Sequence, residues 1–348
     1  MVKSYSLIII ILIVALMGVI IASACLGAVH ISFNQFISIM AYKTGISAQQ
    51  NYLPQQEAVL FALRFPRVVL GVLVGAGLGI SGAVLQGLFR NPLADSSLIG
   101  ISSGASLFAV IVIVLEATVF KQLTEWLGYY ALSIAAFAGA CVTTFTVYRI
   151  AVHDGKANVT ELLLGGVAMT ALAGAFIGLM TYMATDEQLR NITFWNLGSL
   201  GGASWKTVSV LLPFVAVPLI ILPFLGKALN AFALGETQAR HMGINTNLIK
   251  RVVIVLATMA VGASVATCGV IGFIGLIIPH IIRMAFTSDH RLLIPGSALL
   301  GAAALTLADL ISRTIVAPAE LPLGIVTALL GSPVFIYIII SRKRRTQL

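Results

Sequence analysis

Val252 to Ile282 reads VVIVLATMAVGASVATCGVIGFIGLIIPHII, a run without a single charge, and the topology of the chain turns on how it folds. As one helix it would reach about 46 Å at 1.5 Å per residue, against a hydrocarbon core of about 30 Å. Cys268-Gly269, Gly272 and Gly275 lie mid-run, where a helix can break and the chain turn back. Two spans are therefore expected, near 251–270 and 273–287, the second carrying Arg283 at its far end.

Outward from this run, further charge-free intervals cover 4–29, 68–89, 96–115, 126–148, 162–185, 207–226, 292–308 and 321–341. Each is close to the ~20 apolar residues that cross a bilayer. With the divided run they make ten spans in one transmembrane domain, 1–348. The composition agrees. Of 348 residues, 59% are hydrophobic and 9% charged, and the mean hydropathy is +1.03. Soluble domains carry about 25% charged residues, so a soluble globular enzyme is excluded. High hydrophobicity excludes a disordered chain, and the long unbroken runs exclude alternating barrel strands. The fold class is all-α and polytopic. Cys25, Cys141 and Cys268 show no CxxC spacing, which leaves neither a disulfide framework nor a zinc site indicated.

Charge sets the orientation. With both termini cytoplasmic, the inner segments hold Lys3, Arg90, Arg149, Lys156, Lys227, Arg240, Lys250, Arg251, Arg283, Arg291 and Arg342-Lys343-Arg344-Arg345, 14 in all. The outer ones hold Lys43, Arg64, Arg67, Lys121, Arg190, Lys206 and Arg313, 7 in all. That is the asymmetry of the positive-inside rule, so the net charge of +9 reads as topology and not as a nucleic-acid footprint. Near the start, Lys3, an apolar run and Ala22-Ser23-Ala24-Cys25 look like a cleaved signal or lipoprotein site. The run is long for a signal segment, and a retained first span is expected.

Val74-Gly75-Ala76, Gly82 and Pro92 recur as Val261-Gly262-Ala263, Gly269 and Pro279, all at one constant offset along the chain. In this topology the two copies run in opposite directions, as in an inverted repeat. Gly77-Leu78-Gly79-Ile80-Ser81-Gly82 matches GxGxxG, but no strand precedes it and no dinucleotide site follows. A stripe explains it better: Gly71, Gly75, Gly79, Ala83 and Gly87 fall on one helix face, where small residues let backbones approach in lipid. Gly100-Ile101-Ser102-Ser103-Gly104 matches the GxSxG nucleophile pattern. With His280 it leaves an intramembrane serine hydrolase as an alternative of a different class. An ion-coupled carrier is the other; it would want several intramembrane acids, and the spans have almost none besides Asp309.

The remaining polar blocks are specific. They are Arg64-Phe65-Pro66-Arg67, Gln86-Gly87-Leu88-Phe89-Arg90-Asn91-Pro92-Leu93-Ala94-Asp95, and Leu234-Gly235-Glu236-Thr237-Gln238-Ala239-Arg240-His241-Met242-Gly243-Ile244. Further on come Gly272-Phe273-Ile274-Gly275-Leu276-Ile277-Ile278-Pro279-His280, Leu307-Ala308-Asp309 and Glu320-Leu321-Pro322-Leu323-Gly324. In this order, over nearly the whole chain, they resemble the permease subunits of the ABC importers that take up iron-siderophore complexes, haem and cobalamin. The resemblance implies a homodimer in the cell inner membrane working by alternating access. It also implies ABC ATPase subunits at the cytoplasmic face and a periplasmic substrate-binding protein outside. No GxxxxGK[ST] is present, so ATP hydrolysis would lie in the partner ATPase; no catalytic residue, metal or bound cofactor is expected.

The loop at 228–250 is polar, and Gly235 and Gly243 bracket a helix-compatible run from Glu236 to Met242. By its residues alone this is a solvated loop or a short rigid helix. The resemblance makes it the ATPase-coupling segment, with Gly235, Glu236, Ala239, Arg240 and Gly243 as its marks. Arg64, Arg67 and Arg313 end spans on the outer side; they either anchor helix ends or, as the resemblance implies, clasp carboxylates of the binding protein. Asp309 stands at i,i+4 from Arg313, a pairing distance. Arg190, Trp195 and His280 are pathway candidates, each with a structural alternative. Phe194-Trp195-Asn196-Leu197-Gly198-Ser199-Leu200-Gly201-Gly202 is most similar to the haem-importing branch, with ferric siderophore and cobalamin still open.

Overall fold

The run from Val252 to Ile282 does break. One helix ends at Cys268 and the next begins at Ile274. Gly269 takes φ +73°, and a Cβ there would stand 2.1 Å from the carbonyl oxygen of Trp195, so glycine is required on both counts. Non-helical backbone at membrane depth is tolerated only where protein covers it. Here the Ser199 N–H donates to the Cys268 carbonyl at 2.8 Å, and the Leu323 N–H donates to that of Gly198 at 3.0 Å.

The computed structural model describes residues 5–46, 51–116, 119–128, 130–153 and 156–346. In chain order, α1 (Tyr5–Cys25) and α2 (Phe33–Lys43) precede α3 (Pro54–Val59), which runs through a π-turn (Leu60–Arg64) into α4 (Phe65–Phe89). The π-turn sits just before Pro66, whose ring would collide with the carbonyl four residues back in a regular helix. Then follow α5 (Ile101–Leu115), α6 (Lys121–Leu127), α7 (Tyr130–Ile150), α8 (Val159–Met183) and α9 (Asp186–Leu197). A short hairpin, β1 (Val152–His153) with β2 (Lys156–Ala157), joins α7 to α8. Next, α10 (Trp205–Ile221) leads through a 3-10 turn into α11 (Gly226–Leu234), followed by α12 (Glu236–His241) and α13 (Thr246–Cys268). Last are α14 (Ile274–Ala285), α15 (His290–Thr314) and α16 (Leu323–Thr346).

Among the described residues, seven helical runs are long and apolar enough to cross a membrane: α1, α3–α4, α7, α8, α10–α11, α13 and α15. Three shorter apolar helices, α5, α14 and the Leu323–Tyr337 part of α16, fall on the remaining intervals read from the sequence. The recurrence of Val-Gly-Ala, Gly and Pro is not matched position by position. Gly75 and Gly262 both lie inside helices, but Gly82 is mid-α4 while Gly269 lies beyond the end of α13. Pro92 is in a loop and Pro279 is within α14.

At the centre is α4, buried on nearly every side. Its glycine stripe lies on α15: a Cβ on Gly75 would meet the Gly301 carbonyl at 2.4 Å, and one on Gly79 that of Ser297 at 2.2 Å. Gly71 faces Thr306 and Gly87 faces His290 of the same helix. Without side chains the backbones close together, and packing takes the place of the hydrophobic drive that lipid cannot supply.

The polar contacts sort into two ends. At one, the Tyr5 hydroxyl donates to Asp289 Oδ2 at 2.8 Å and Asn230 Nδ2 to Asp289 Oδ1 at 2.7 Å. At the other, Arg64 and Arg313 reach the last turn of α1, and Arg67 bonds Asp309 and Glu320. The two ends of α1 fall in different groups, and the groups are those that charge counting assigns to the inner and outer sides.

Candidate functional site

On the side that charge counting assigns to the cytoplasm, Gly235 (φ +127°) and Gly243 (φ +82°) bracket α12, so the chain turns sharply at each end of a six-residue helix. Lys250, in the first turns of α13, is only 1% exposed. A buried ammonium is costly unless paired. Its Nζ donates to Glu236 Oε2 at 2.7 Å and to the carbonyl of Ala157 on β2. The other oxygen of Glu236 accepts from Arg240 Nη2 at 2.7 Å, while Arg240 Nε donates to Thr246 Oγ1 at 2.9 Å. Burial alone would raise the Glu236 carboxyl; the hydrogen bond and charge of Lys250, aided by Arg240, overcome it and hold the group below its ordinary range. Ala239, fully buried, seats the middle of α12. One ammonium, that of Lys250, therefore ties together α12, the head of α13 and the hairpin between α7 and α8.

On the side that charge counting assigns to the outside, the three arginines are all occupied within the chain. Arg64 is 5% exposed, and its Nη1 donates to the carbonyls of Ala24 at 2.6 Å and Cys25 at 2.7 Å, its Nη2 to that of Val29. A helix ends with carbonyls lacking partners, and Arg64 supplies donors to those of α1. Arg313 donates from Nη2 to the carbonyl and, at 2.8 Å, to the hydroxyl of Ser23. Arg67 grips two carboxylates: Nε and Nη2 donate to Asp309 Oδ1 at 3.0 and 2.9 Å, and Nη1 to Glu320 Oε1 at 2.7 Å. The pairing of Asp309 with Arg313 read from their spacing is loose, 3.6 Å from Nε to Oδ2, because Arg67 holds the carboxylate. For Arg64 and Arg313 the contacts made within the chain are those of helix-end anchors. Glu320, the acid that shares Arg67, lies 253 residues from it, a separation that no local spacing joins.

The chain matches the FecCD transport family over residues 10–341. It belongs to that family. It is 43% identical to the hemin transport system permease protein HmuU of Yersinia pestis over 284 residues, covering 81% of this chain and 83% of that one. It is 39% identical to the vitamin B12 import system permease protein BtuC of Escherichia coli over 308 residues, 88% and 91% of the two chains. Among solved structures, it is similar to an inward-facing conformation of a metal-chelate type ABC transporter, with a TM-score of 0.81, 29% identity, and 97% and 99% of the chains covered. This FecCD chain is thus a multi-pass membrane transport protein.

The FecCD fold scatters the remaining candidates. Arg190 is exposed on α9. Trp195, half-buried near the end of α9, lines a cavity of about 210 Å³ with Leu132, Ser199, Thr267 and Cys268, beside the break before α14. His280, half-buried in α14 beside Pro279, does not line that cavity. Ser102, the serine of GxSxG, sits in the first turn of α5, after a 3-10 turn and Gly100 at φ +76°. A nucleophile elbow needs a strand before the turn, and none stands there. Two buried polar links escaped sequence reading: Gln86 of α4 accepts from Arg283 Nη1 at 3.0 Å and donates to the Leu276 carbonyl at 3.0 Å, and His290 Nδ1 lies 2.8 Å from Asn230 Oδ1. A glutamine in the last turn of an otherwise apolar span was the available signal.

Proposed function

We propose that this chain is the permease subunit of a binding-protein-dependent ABC importer for an iron chelate, with haem as its cargo. The observation that carries the reading is the 43% identity to a hemin permease over 81% of the chain, joined by the Phe194-Trp195 to Gly201-Gly202 segment, which is most similar to the haem branch. It works in the inner membrane as a pair of copies. The outward face of α8 supports a second copy: Leu172, Phe176, Leu179, Tyr182 and Met183 are exposed, and Gly174 and Gly178 have open space beside them. ABC ATPase subunits dock on α11 and α12, and their closure moves α12 as a rigid piece hinged at Gly235 and Gly243. A periplasmic binding protein docks on the outer surface around Arg67 and Glu320.

The test is ATP-dependent uptake by the permease, its ATPase and its binding protein reconstituted together in vesicles, with haem, a ferric siderophore and cobalamin assayed in parallel. ATP-driven haem uptake is expected. Accumulation by the permease alone on an ion gradient overturns the mechanism. Uptake of cobalamin in place of haem selects the second reading, which the 39% identity to a vitamin B12 permease favours. Gly243→Pro should abolish transport and its coupling to ATP hydrolysis, since proline cannot take φ +82°. Intact coupling would remove α12 from the mechanism.

A further inference from the structure

A groove of about 470 Å³ runs between α7, α10 and α13, away from the polar networks described above. Its walls are apolar and aromatic: Phe137, Cys141 and Phe145 on one side, Phe214 behind, Val255 and Met259 on the other. Thr144 and Thr258 lie along the walls, and among the described residues the one charged lining residue stands at one end. Arg251 lies there with Tyr148, Nε donating to the tyrosine hydroxyl at 2.9 Å. Arg149, next to Tyr148 on α7, holds its guanidinium carbon 6.0 Å from the centre of the Phe145 ring, which lines the groove. Both arginines are exposed, and neither makes an ion pair among the described residues.

The depth of the groove is informative. From Arg251 to Met259 along α13 is about 12 Å, and from Tyr148 back to Phe137 along α7 about 16 Å, at 1.5 Å per residue. Half of a hydrocarbon core is about 15 Å. The arginines lie at the cytoplasmic ends of both helices by charge counting, so the groove runs from inner headgroup level to about the midplane. That is the space of one leaflet. Guanidinium groups at its mouth favour phosphate, which they bind with several parallel donors, and basic pockets between helices on this side suit anionic headgroups.

We infer that the groove between α7, α10 and α13 is a binding site for one anionic phospholipid of the inner leaflet, its acyl chain along Phe145, Val255 and Met259 and its phosphate on Arg251 and Arg149. The full chain in detergent, titrated with phosphatidylglycerol or with phosphatidylcholine of the same acyl chains, tests this by native mass spectrometry. One phosphatidylglycerol per chain should be retained, with a preference over phosphatidylcholine of roughly tenfold or more, as two arginines near the headgroup imply. The double variant Arg149→Gln, Arg251→Gln should lose that preference while keeping the thermal stability of the lipid-free protein. Val255→Trp, at an exposed position, should block both lipids by filling the groove. Equal binding of the two lipids, or an unchanged preference in the double variant, overturns the site. So does a phosphatidylglycerol adduct that survives Val255→Trp. Efficient cross-linking of two chains through Cys141 would show that a second copy covers the groove, and would also overturn it.

Discussion

Asp309 and Glu320 hold the same guanidinium, that of Arg67, from different surroundings. Asp309 is 2% exposed, while the Glu320 side chain is 42% exposed. Removing one partner of a buried pair leaves a charge stranded and costs about 3–5 kcal/mol; an exposed pair contributes about 0–1 kcal/mol. Asp309→Ala should therefore lower the thermal midpoint in detergent markedly, and Glu320→Gln hardly at all. Equal losses would mean that burial does not set the strength of this cluster. Glu236 gives a pH dependence. Its folded value is lowered, so its contribution is complete above the ordinary carboxylate range and is lost as the pH falls through the lower folded value. The gap in thermal midpoint between the native chain and Glu236→Gln should be widest near neutral pH and close in acid. At this scale local spacing showed the looser pair of Asp309, that with Arg313, and not the tighter one with Arg67. Arg67 and Asp309 are 242 residues apart and Lys250 and Ala157 are 93 apart, and no local spacing joins such pairs. Arg64 illustrates the cost: its position near an outer helix end was plain, but not that α1 would take all its donors.

For the helices themselves, much more was legible. Glycine at 269 and 272 signalled the break because a helix running unbroken from Val252 to Ile282 outruns the bilayer, and that argument needs only length. The flanking glycines of α12 were visible for a similar reason, since the helix between them is short and both turns need positive φ. What periodicity could not reveal was which neighbour a small-residue face meets. The stripe on α4 turned out to face α15, with Gly79 against the backbone of Ser297. Gly79→Val should therefore push two central helices apart and prevent accumulation of folded protein, because the obstacle is a carbonyl that cannot rotate away. Gly18→Ala, in α1 with open space around it, should leave yield and thermal midpoint nearly unchanged. If both variants behave alike, close approach of α4 and α15 is not what the stripe provides. The recurrent Val-Gly-Ala, Gly and Pro pattern marks another limit: similar words sit in unlike places, as Gly82 inside a helix and Gly269 beyond one show.

Across the whole molecule, lysine and arginine counts alone divided the chain into two sides, and the long-range polar contacts keep to that division. A thiol-labelling experiment follows. With the native cysteines replaced, Thr44→Cys should react with an impermeant maleimide added to intact cells, and Arg344→Cys only after the membrane is opened. The reverse pattern would invert every inner and outer assignment above. The bonds that Arg64 and Arg313 make to the end of α1 bear on how such a chain is made. Synthesis delivers α1 before both of its partners: the donors for its last turn follow 40 residues later from Arg64 and 290 residues later from Arg313. Arg64 can cover the carbonyls of Ala24 and Cys25 early in synthesis, but that of Ser23 waits for Arg313, so the last turn of α1 is fully locked only after most of the chain that follows it has been made.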